Sequence, residues 1–488
     1  MPSTPATPAT RGQPGSAGSG TGERTVLAFG DLEYRRSELD ALIAGLADTL
    51  ARRGVRRGDR VALMSSNRPE FVIALYAVWR LGAAVVLISP AWKAAEVAHA
   101  LSLTMPVDAV GDHRVLASLM PMLSLDDPIE PAGTVSARAE PSPAQEAVLV
   151  FSSGTTGLPK AVRHTHGSFA AGVSHWRTVL RLTERDRMQI ATPPSHILGL
   201  LNIVTVLDTG GWLRLHRRFD IDALLAHIES DRITVEMAVA PIALAIASHP
   251  GLERYDLSSL RYIMWCATPV TVSVASEVTR RTGVLWATAY GTSELPVLTC
   301  NDLDGTHLET VGRPAPGVRL RIVSPHDGRT QPRGEVGEIV AQSDSVMAGY
   351  LPDEPGGPVE DGWYHTGDIG YLDAEGRLRI TDRAKEMIKV RGFQVAPAEV
   401  EAVLHGHPAV ADCAVFGEPD AADGEAVVAV VAAAAPVADT ELIALVGERL
   451  ASYKRPQRIV FVPELPRLPS GKALRRVLKE SHGRTSDR

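Results

Sequence analysis

The chain has 488 residues, with 50 Lys and Arg against 57 Asp and Glu, a net charge of −7 and 45% hydrophobic content. That length predicts about three structural units with real cores, and the mildly acidic balance argues against a general nucleic-acid binder while leaving room for local basic patches that hold phosphates. The apolar runs 197–207 and 426–438, interrupted by Asn202 and Pro436, are shorter than the roughly 18 residues a membrane span needs, and Cys266, Cys300 and Cys413 make neither a disulfide framework nor a CxxC pair, so a reducing cytoplasm is the expected compartment.

Residues 1–22 are nearly all Pro, Ser, Thr, Ala and Gly; they cannot build a core and read as a disordered tail without the apolar stretch of a secretion signal. Ser37 and Asp40 look like a helix N-cap with an acidic third position, and Leu39, Leu42, Ile43, Leu46 and Leu50 then fall on one helical face. Gly58-Asp59 turns into a strand at 61–64, Pro69 starts a second helix, Gly82 closes it, and 83–88 is a continuous apolar strand. Alternation of this kind implies right-handed crossovers and a largely parallel sheet. A connection rich in Pro, Ala, Ser and Glu spans 130–146, and a second alternating region runs from 147 to 300. Between about 310 and 381, short β-like runs at 319–323, 336–341 and 378–380 alternate with Gly, Pro and Asp turns, which predicts a mostly antiparallel, barrel-like subdomain. A charged stretch at 382–389 leads into a compact α+β tail, 384–488. The fold class is therefore α/β, with parallel-rich sheets in a large N-terminal part and a smaller C-terminal one.

Chemistry concentrates first in Phe151-Ser-Ser-Gly-Thr-Thr-Gly-Leu-Pro-Lys160, which follows the apolar strand 147–150. Glycines 154 and 157 let backbone N–H groups approach a polyanion, the hydroxyls of Ser152, Ser153, Thr155 and Thr156 donate hydrogen bonds, and Lys160 adds a point charge. The run reads as a phosphate cradle. It is not a Walker A loop, because Pro159 precedes the lysine and Ala161 follows it. An ordinary Gly/Thr turn is the plainer alternative.

This run resembles the phosphate loop of the adenylate-forming superfamily, which comprises acyl-CoA synthetases, luciferases and peptide-synthetase adenylation domains. Four further runs agree in order and spacing: Tyr290-Gly-Thr-Ser-Glu294, Thr366-Gly-Asp368, the hinge and following loop at 382–394, and Pro469-Ser-Gly-Lys472. The resemblance covers about residues 25–480, and in wording it is nearest to coumarate–CoA ligases, through 240–246, 255–259 and 392–399. It implies a large adenylation domain (23–383) and a small mobile domain (384–488) that rotates about Lys385 between two half-reactions. It also implies ATP and Mg²⁺, with CoA as the expected co-substrate beside a small-molecule acid.

Residue roles follow from the same resemblance. Glu294 would hold Mg²⁺ with help from Thr155 or Thr156, since a hard cation wants carboxylate and hydroxyl oxygens. Ala267, Thr268, Ala289, Tyr290, Gly291, Thr292 and Ser293 would surround the nucleotide, with the Tyr290 ring facing adenine. Asp368 would accept both ribose hydroxyls, assisted by Arg383. Lys472 would bridge the acid and the α-phosphate. After rotation, Lys389, Arg391, Gly392 and Gln394 would border the pantetheine route, and Arg218 would meet a CoA phosphate; a solvated basic pair is the alternative for Arg217 and Arg218. His196 matches a substrate-gating histidine, although a histidine in an apolar segment is more often a satisfied core residue. The pairs His164/His166 and His405/His407 lack a carboxylate or cysteine that would complete a metal site, and read as ordinary.

The acid pocket departs from the coumarate–CoA ligase pattern. Trp265-Cys-Ala-Thr-Pro269 stands where those enzymes have Ser-Gly-Ala-Ala-Pro, Ala289 replaces a glycine, and Ser195 and Leu198 replace aromatics flanking the gating histidine. Larger side chains in place of glycine fill space, and an indole fills a great deal. The expected acid is therefore smaller than coumarate or differently shaped. Three functions compete: an AMP-forming acid–CoA ligase; an enzyme that adenylates a small or unusual acid, nitrite included, and passes it to an amine or another non-CoA acceptor; and a nucleotide-binding regulator without turnover, against which Lys160, Glu294, Asp368 and Lys472 argue. The sequence sets no oligomeric state.

Overall fold

A computed structural model describes residues 24–133, 141–152, 159–268, 270–325, 327–353, 357–383, 388–390, 393–395, 397–420, 424–450, 452–467 and 473–483. Among them, four sheets organise the chain. The first is nine-stranded. Its parallel centre runs Trp286–Tyr290, Tyr262–Trp265, Val235–Ala238, Arg187–Ile190, Trp212–Leu215 and Thr25–Phe29, and short antiparallel strands close both edges. The second is seven-stranded, with Glu146–Ser152, Ala84–Leu87, Arg60–Met64, Asp108–Gly111 and Met122–Ser124 in parallel. Helices Arg36–Arg52, Pro69–Arg80, His166–Val179 and Ile197–Thr209 share one core with the facing sides of both sheets. The apolar run at 197 is thus a buried helix: flat sheet faces on either side leave it no wet side.

Local chemistry explains the element ends. Pro69 occupies the first turn of its helix, where a missing N–H costs nothing, and Gly82 adopts φ +68° to turn the chain into the next strand. The first long helix begins earlier than expected. Its cap is Arg35, whose N–H is accepted by the Glu38 carboxylate at 2.8 Å, so Glu38 plays the part assigned to Asp40 and Ser37 already lies inside the helix.

The predicted antiparallel region is a five-stranded sheet built on Gly337–Gln342 and Trp363–Leu372, with Leu378–Arg383 added alongside. One strand from this stretch goes elsewhere. Gly349–Leu351 leaves the antiparallel sheet and pairs with Lys160–Thr165 at the edge of the seven-stranded sheet. The fourth sheet is centred on the long pair Val410–Asp420 and Gly424–Ala433, with helices Pro397–His405 and Asp439–Arg449 on one face and Arg475–His482 on the other. The apolar run at 426 is the strand buried at its middle.

Candidate active site

Three sheets bring their ends together around Glu294. The carboxylate stands on a turn after the strand Trp286–Tyr290, closed by Thr292 N–H to Leu295 O (2.9 Å) and by Leu295 N–H to Thr292 Oγ1 (3.0 Å). Gly291 permits the turn: a Cβ there would lie 2.0 Å from the Pro296 carbonyl oxygen. From beneath, His164, fully buried, places Nε2 2.8 Å from Ser293 O. Burial pushes the His164 pKa down, so the neutral ring serves as a fixed prop for the turn.

Glu294 is itself buried, and both of its oxygens are engaged by phenols. Tyr350 donates to Oε1 at 2.8 Å and Tyr364 to Oε2 at 3.4 Å. Tyr350 sits on the strand that joined the seven-stranded sheet, and its ring centroid lies 5.6 Å from Lys160 Nζ. Among the described residues no Lys, Arg or His forms an ion pair with Glu294. A buried carboxylate without a cationic partner is costly, and a divalent cation would relieve that cost. No group of three or more His, Cys, Asp or Glu among the described residues could hold a metal alone. Mg²⁺ at Glu294 would therefore need further oxygens, which nucleotide phosphates carry.

Lys160 and Ser152 are register partners in the hairpin whose strands flank the Gly/Thr run, and the Lys160 foot of that run stands beside the Tyr350 ring. On the other side of the turn, Asp368 is buried and accepts the Tyr290 hydroxyl on Oδ2 at 2.5 Å. Burial and the Asp368 charge both push the Tyr290 pKa well up, so the phenol stays a donor. One lone pair of Asp368 Oδ2 is thus occupied, the others remain for ribose hydroxyls, and the bond restrains the Tyr290 ring. Arg383 is the register partner of Asp368 across the antiparallel pair.

His196 caps the helix Ile197–Thr209, its Nδ1 accepting the Leu198 N–H at 3.3 Å, so in the neutral ring the proton is on Nε2. The residue is solvent-exposed, and desolvation by the surrounding protein holds its pKa down. Ala267 adopts φ +65°, a left-handed conformation that costs a residue with a Cβ roughly 1–2 kcal/mol and marks a constrained turn. Beside it, Thr268 Oγ1 accepts the Ala240 N–H (3.2 Å) and the Trp265 indole N–H (3.0 Å). Arg218 is exposed, and Arg217 lies 6.0 Å from the Phe29 ring.

Trp265 and Cys266, neighbours in the run expected at the acid pocket, part company in the structure. The Trp265 indole is buried on the outer face of the nine-stranded sheet, 5.4 Å from the Trp286 ring, whereas Cys266 and Ala289 belong to the core on the inner face. Successive strand residues point to opposite faces, so the two neighbours cannot narrow one pocket together. Ser153, Gly154, Thr155, Thr156, Gly157, Lys385, Arg391, Gly392 and Lys472 lie outside the described residues, as do the side chains of Arg383, Lys389 and Gln394 and the 1–22 tail. Sequence reasoning missed Tyr350 and Tyr364, which stand 56 and 70 residues beyond Glu294 with no local pattern to link them to it. It also read His164 as ordinary.

Fold and site together define an enzyme that activates an acid with a nucleotide, an ATP-dependent, AMP-forming ligase. The chain belongs to the AMP-binding enzyme family: the AMP-binding enzyme domain matches residues 16–351 and the AMP-binding enzyme C-terminal domain residues 399–472. It is 34% identical to a feruloyl-CoA synthase of Amycolatopsis sp over 94% of this chain and 96% of that one. It is 32% identical to the 4-coumarate–CoA ligase CCL1 of Humulus lupulus, over 94% and 89% respectively. Its structure is similar to that of the amide bond synthetase McbA from Marinactinospora thermotolerans, with a TM-score of 0.88 and 30% identity over 94% of this chain and 97% of that one. No helix among the described residues is long and apolar enough to cross a membrane.

Proposed function

We propose that the protein is an acid–CoA ligase working through an acyl adenylate, with the site centred on Glu294. An oxygen of the acid bonds to the α-phosphorus of ATP as the bond to pyrophosphate breaks; the CoA sulfur then attacks the acyl carbon, loses its proton, and AMP departs. The observation that carries this reading is the meeting of a buried Glu294, with no ion pair among the described residues, the Lys160 hairpin and the Tyr290–Asp368 pair at the junction of three sheets. Little covalent work falls to the protein, and positioning with charge neutralisation carries the rate.

Lys160 would steady the phosphates, Asp368 with Arg383 the ribose, and Tyr290 the base. Mg²⁺ on Glu294 would supply charge neutralisation at the phosphates. Neutral His196, with its proton on Nε2, would border the acid. Leu198 offers no hydrogen bond to a phenol, so the acid is one recognised by shape and apolar contact. Lys472 would add the charge that bridges acid and phosphate, and the 389–394 loop would replace it for thiol transfer. The three unpaired cysteines fit work in the cytoplasm, and the acidic balance fits a protein without a nucleic-acid partner.

Pyrophosphate exchange and AMP release, run over a panel of hydroxycinnamic, benzoic and short-chain acids and nitrite, test the reading. Acid-dependent exchange with CoA-dependent thioester formation is expected. The likeness to an amide bond synthetase supports a second acceptor, an amine; AMP formation indifferent to CoA and accelerated by amines would favour it. Failure of every acid in the panel to support exchange would leave only a binding protein. Half-reactions refine the test: Lys472→Ala should lose adenylate formation and keep thiol transfer from supplied adenylate, and Lys385→Pro should do the reverse.

A further inference from the structure

The Glu294 carboxylate has about four lone-pair directions. One on each oxygen is taken, by a phenol from a different sheet. Tyr350 comes from the edge strand Gly349–Leu351 of the seven-stranded sheet, and Tyr364 from the strand Trp363–Leu372 of the antiparallel sheet. Tyr364 is buried, and its hydroxyl also lies 3.2 Å from Thr292 Oγ1, the hydroxyl two residues before Glu294 in the same turn. Thr292 in turn caps the turn through Leu295 N–H, so turn, phenol and carboxylate form one connected set. With a phenol on each oxygen, firmly from Tyr350 and more loosely from Tyr364, the carboxylate's rotation is restrained, and so are the directions of its remaining lone pairs. Tyr350 does a second thing: its ring lies beside Lys160, so one side chain spans the metal-side carboxylate and the phosphate-side lysine.

We propose that Tyr350 and Tyr364 are positioning residues that hold Glu294 as a preset ligand for the divalent cation accompanying ATP, with Tyr350 also setting its spacing from Lys160. The proposal rests on the assignment of Glu294 in the preceding section. Outer-shell partners that orient a coordinating carboxylate commonly govern metal affinity by 10–100-fold. Tyr350, at 2.8 Å, holds the shorter bond and matters more; Tyr364, at 3.4 Å, matters less.

The test uses full-length protein with Tyr350→Phe, Tyr364→Phe, Thr292→Val and, as reference, Glu294→Gln. Mn²⁺ binding is followed by electron paramagnetic resonance in the presence of a non-hydrolysable ATP analogue, and the KM values for Mg²⁺ and for the acid by pyrophosphate exchange. Tyr350→Phe should raise the metal dissociation constant on the order of 10-fold, and the KM for Mg²⁺ with it, leaving the KM for the acid within about twofold. Tyr364→Phe and Thr292→Val should shift it the same way by less. Normal metal binding in every tyrosine and threonine variant, with binding lost in Glu294→Gln, overturns the positioning role alone. Unchanged binding in Glu294→Gln overturns the assignment of Glu294 and the proposal with it. Should Tyr364→Phe fail to fold, Tyr350→Phe and Thr292→Val decide the matter.

Discussion

The outer face of the nine-stranded sheet and the turn beyond its end each bury a glutamate, and the two are treated in opposite ways. Glu236 lies among apolar side chains on the outer face, fully buried, with the Gln189 side-chain amide donating to it at 2.7 Å; that amide's oxygen faces His216 Nε2 at the same distance. Burial raises its pKa to about 8, so at neutral pH it is a protonated carboxylic acid that shares a polar chain and reaches no solvent. Glu294 is nearly as buried, but it sits where three sheets end, between two phenols, one of which has a lysine beside its ring. One glutamate belongs to the packing; the other belongs to a place where packing stops and a ligand enters. Burial alone does not separate structural from chemical carboxylates; the company on each oxygen does.

The largest expected effect breaks that comparison if it fails. Glu294→Gln keeps the shape and both tyrosine donors' neighbours but removes the charge a divalent cation needs. Adenylation should fall on the order of 10²–10³, measured by pyrophosphate exchange at saturating Mg²⁺, with thermal stability close to the parent. Glu236→Gln should do the converse: exchange activity within about twofold, and a changed dependence of stability on pH.

The sign of that dependence follows from the raised pKa. Between the unfolded value near 4.5 and the folded value near 8, the folded protein binds a proton at Glu236 that the unfolded chain does not. Stability contributed by this group is therefore full at low pH and falls as pH rises towards 8, after which it is flat. Glutamine mimics the protonated acid at every pH. Denaturant unfolding from pH 5 to 9 should show the parent and Glu236→Gln converging at the acid end and the variant ahead at the alkaline end, by on the order of a few kcal/mol. Parallel curves would mean that Glu236 is ionised in the folded protein.

Which parts of this were legible beforehand depends on range along the chain. Glu294, Tyr290 and Asp368 stand in short runs whose order and spacing resemble those of the adenylate-forming superfamily, and the parallel-rich sheets follow from strands alternating with helices. The pinning of Glu294 was not legible, because Gly349–Leu351 crosses from a region of antiparallel turns to another sheet's edge, and nothing local to Tyr350 records that pairing. His164 was missed for the same reason: its partner, Ser293 O, is 129 residues away. At Trp265 the sequence is silent even at short range: the run Trp265-Cys-Ala-Thr reads as one stretch, although Trp265 is the last residue of a strand and the next residue faces the other way.

That change of face supplies the smallest and most discriminating test. The Trp265 indole is 2% exposed, lies at 50° to Trp286, and gives its N–H to Thr268 Oγ1. Trp265→Phe removes the donor and part of the ring, while Thr268 keeps the Ala240 N–H as a partner. The loss is a partly collapsed cavity in the outer core, worth about 1–3 kcal/mol in denaturant unfolding. If the indole is confined to that face, the set of acids that support pyrophosphate exchange, and their relative kcat/KM, should match the parent within about threefold. A variant that accepts bulkier acids tenfold better would put the indole back against the substrate, and would mean that the outer face of the sheet, and not only its end, takes part in choosing the acid.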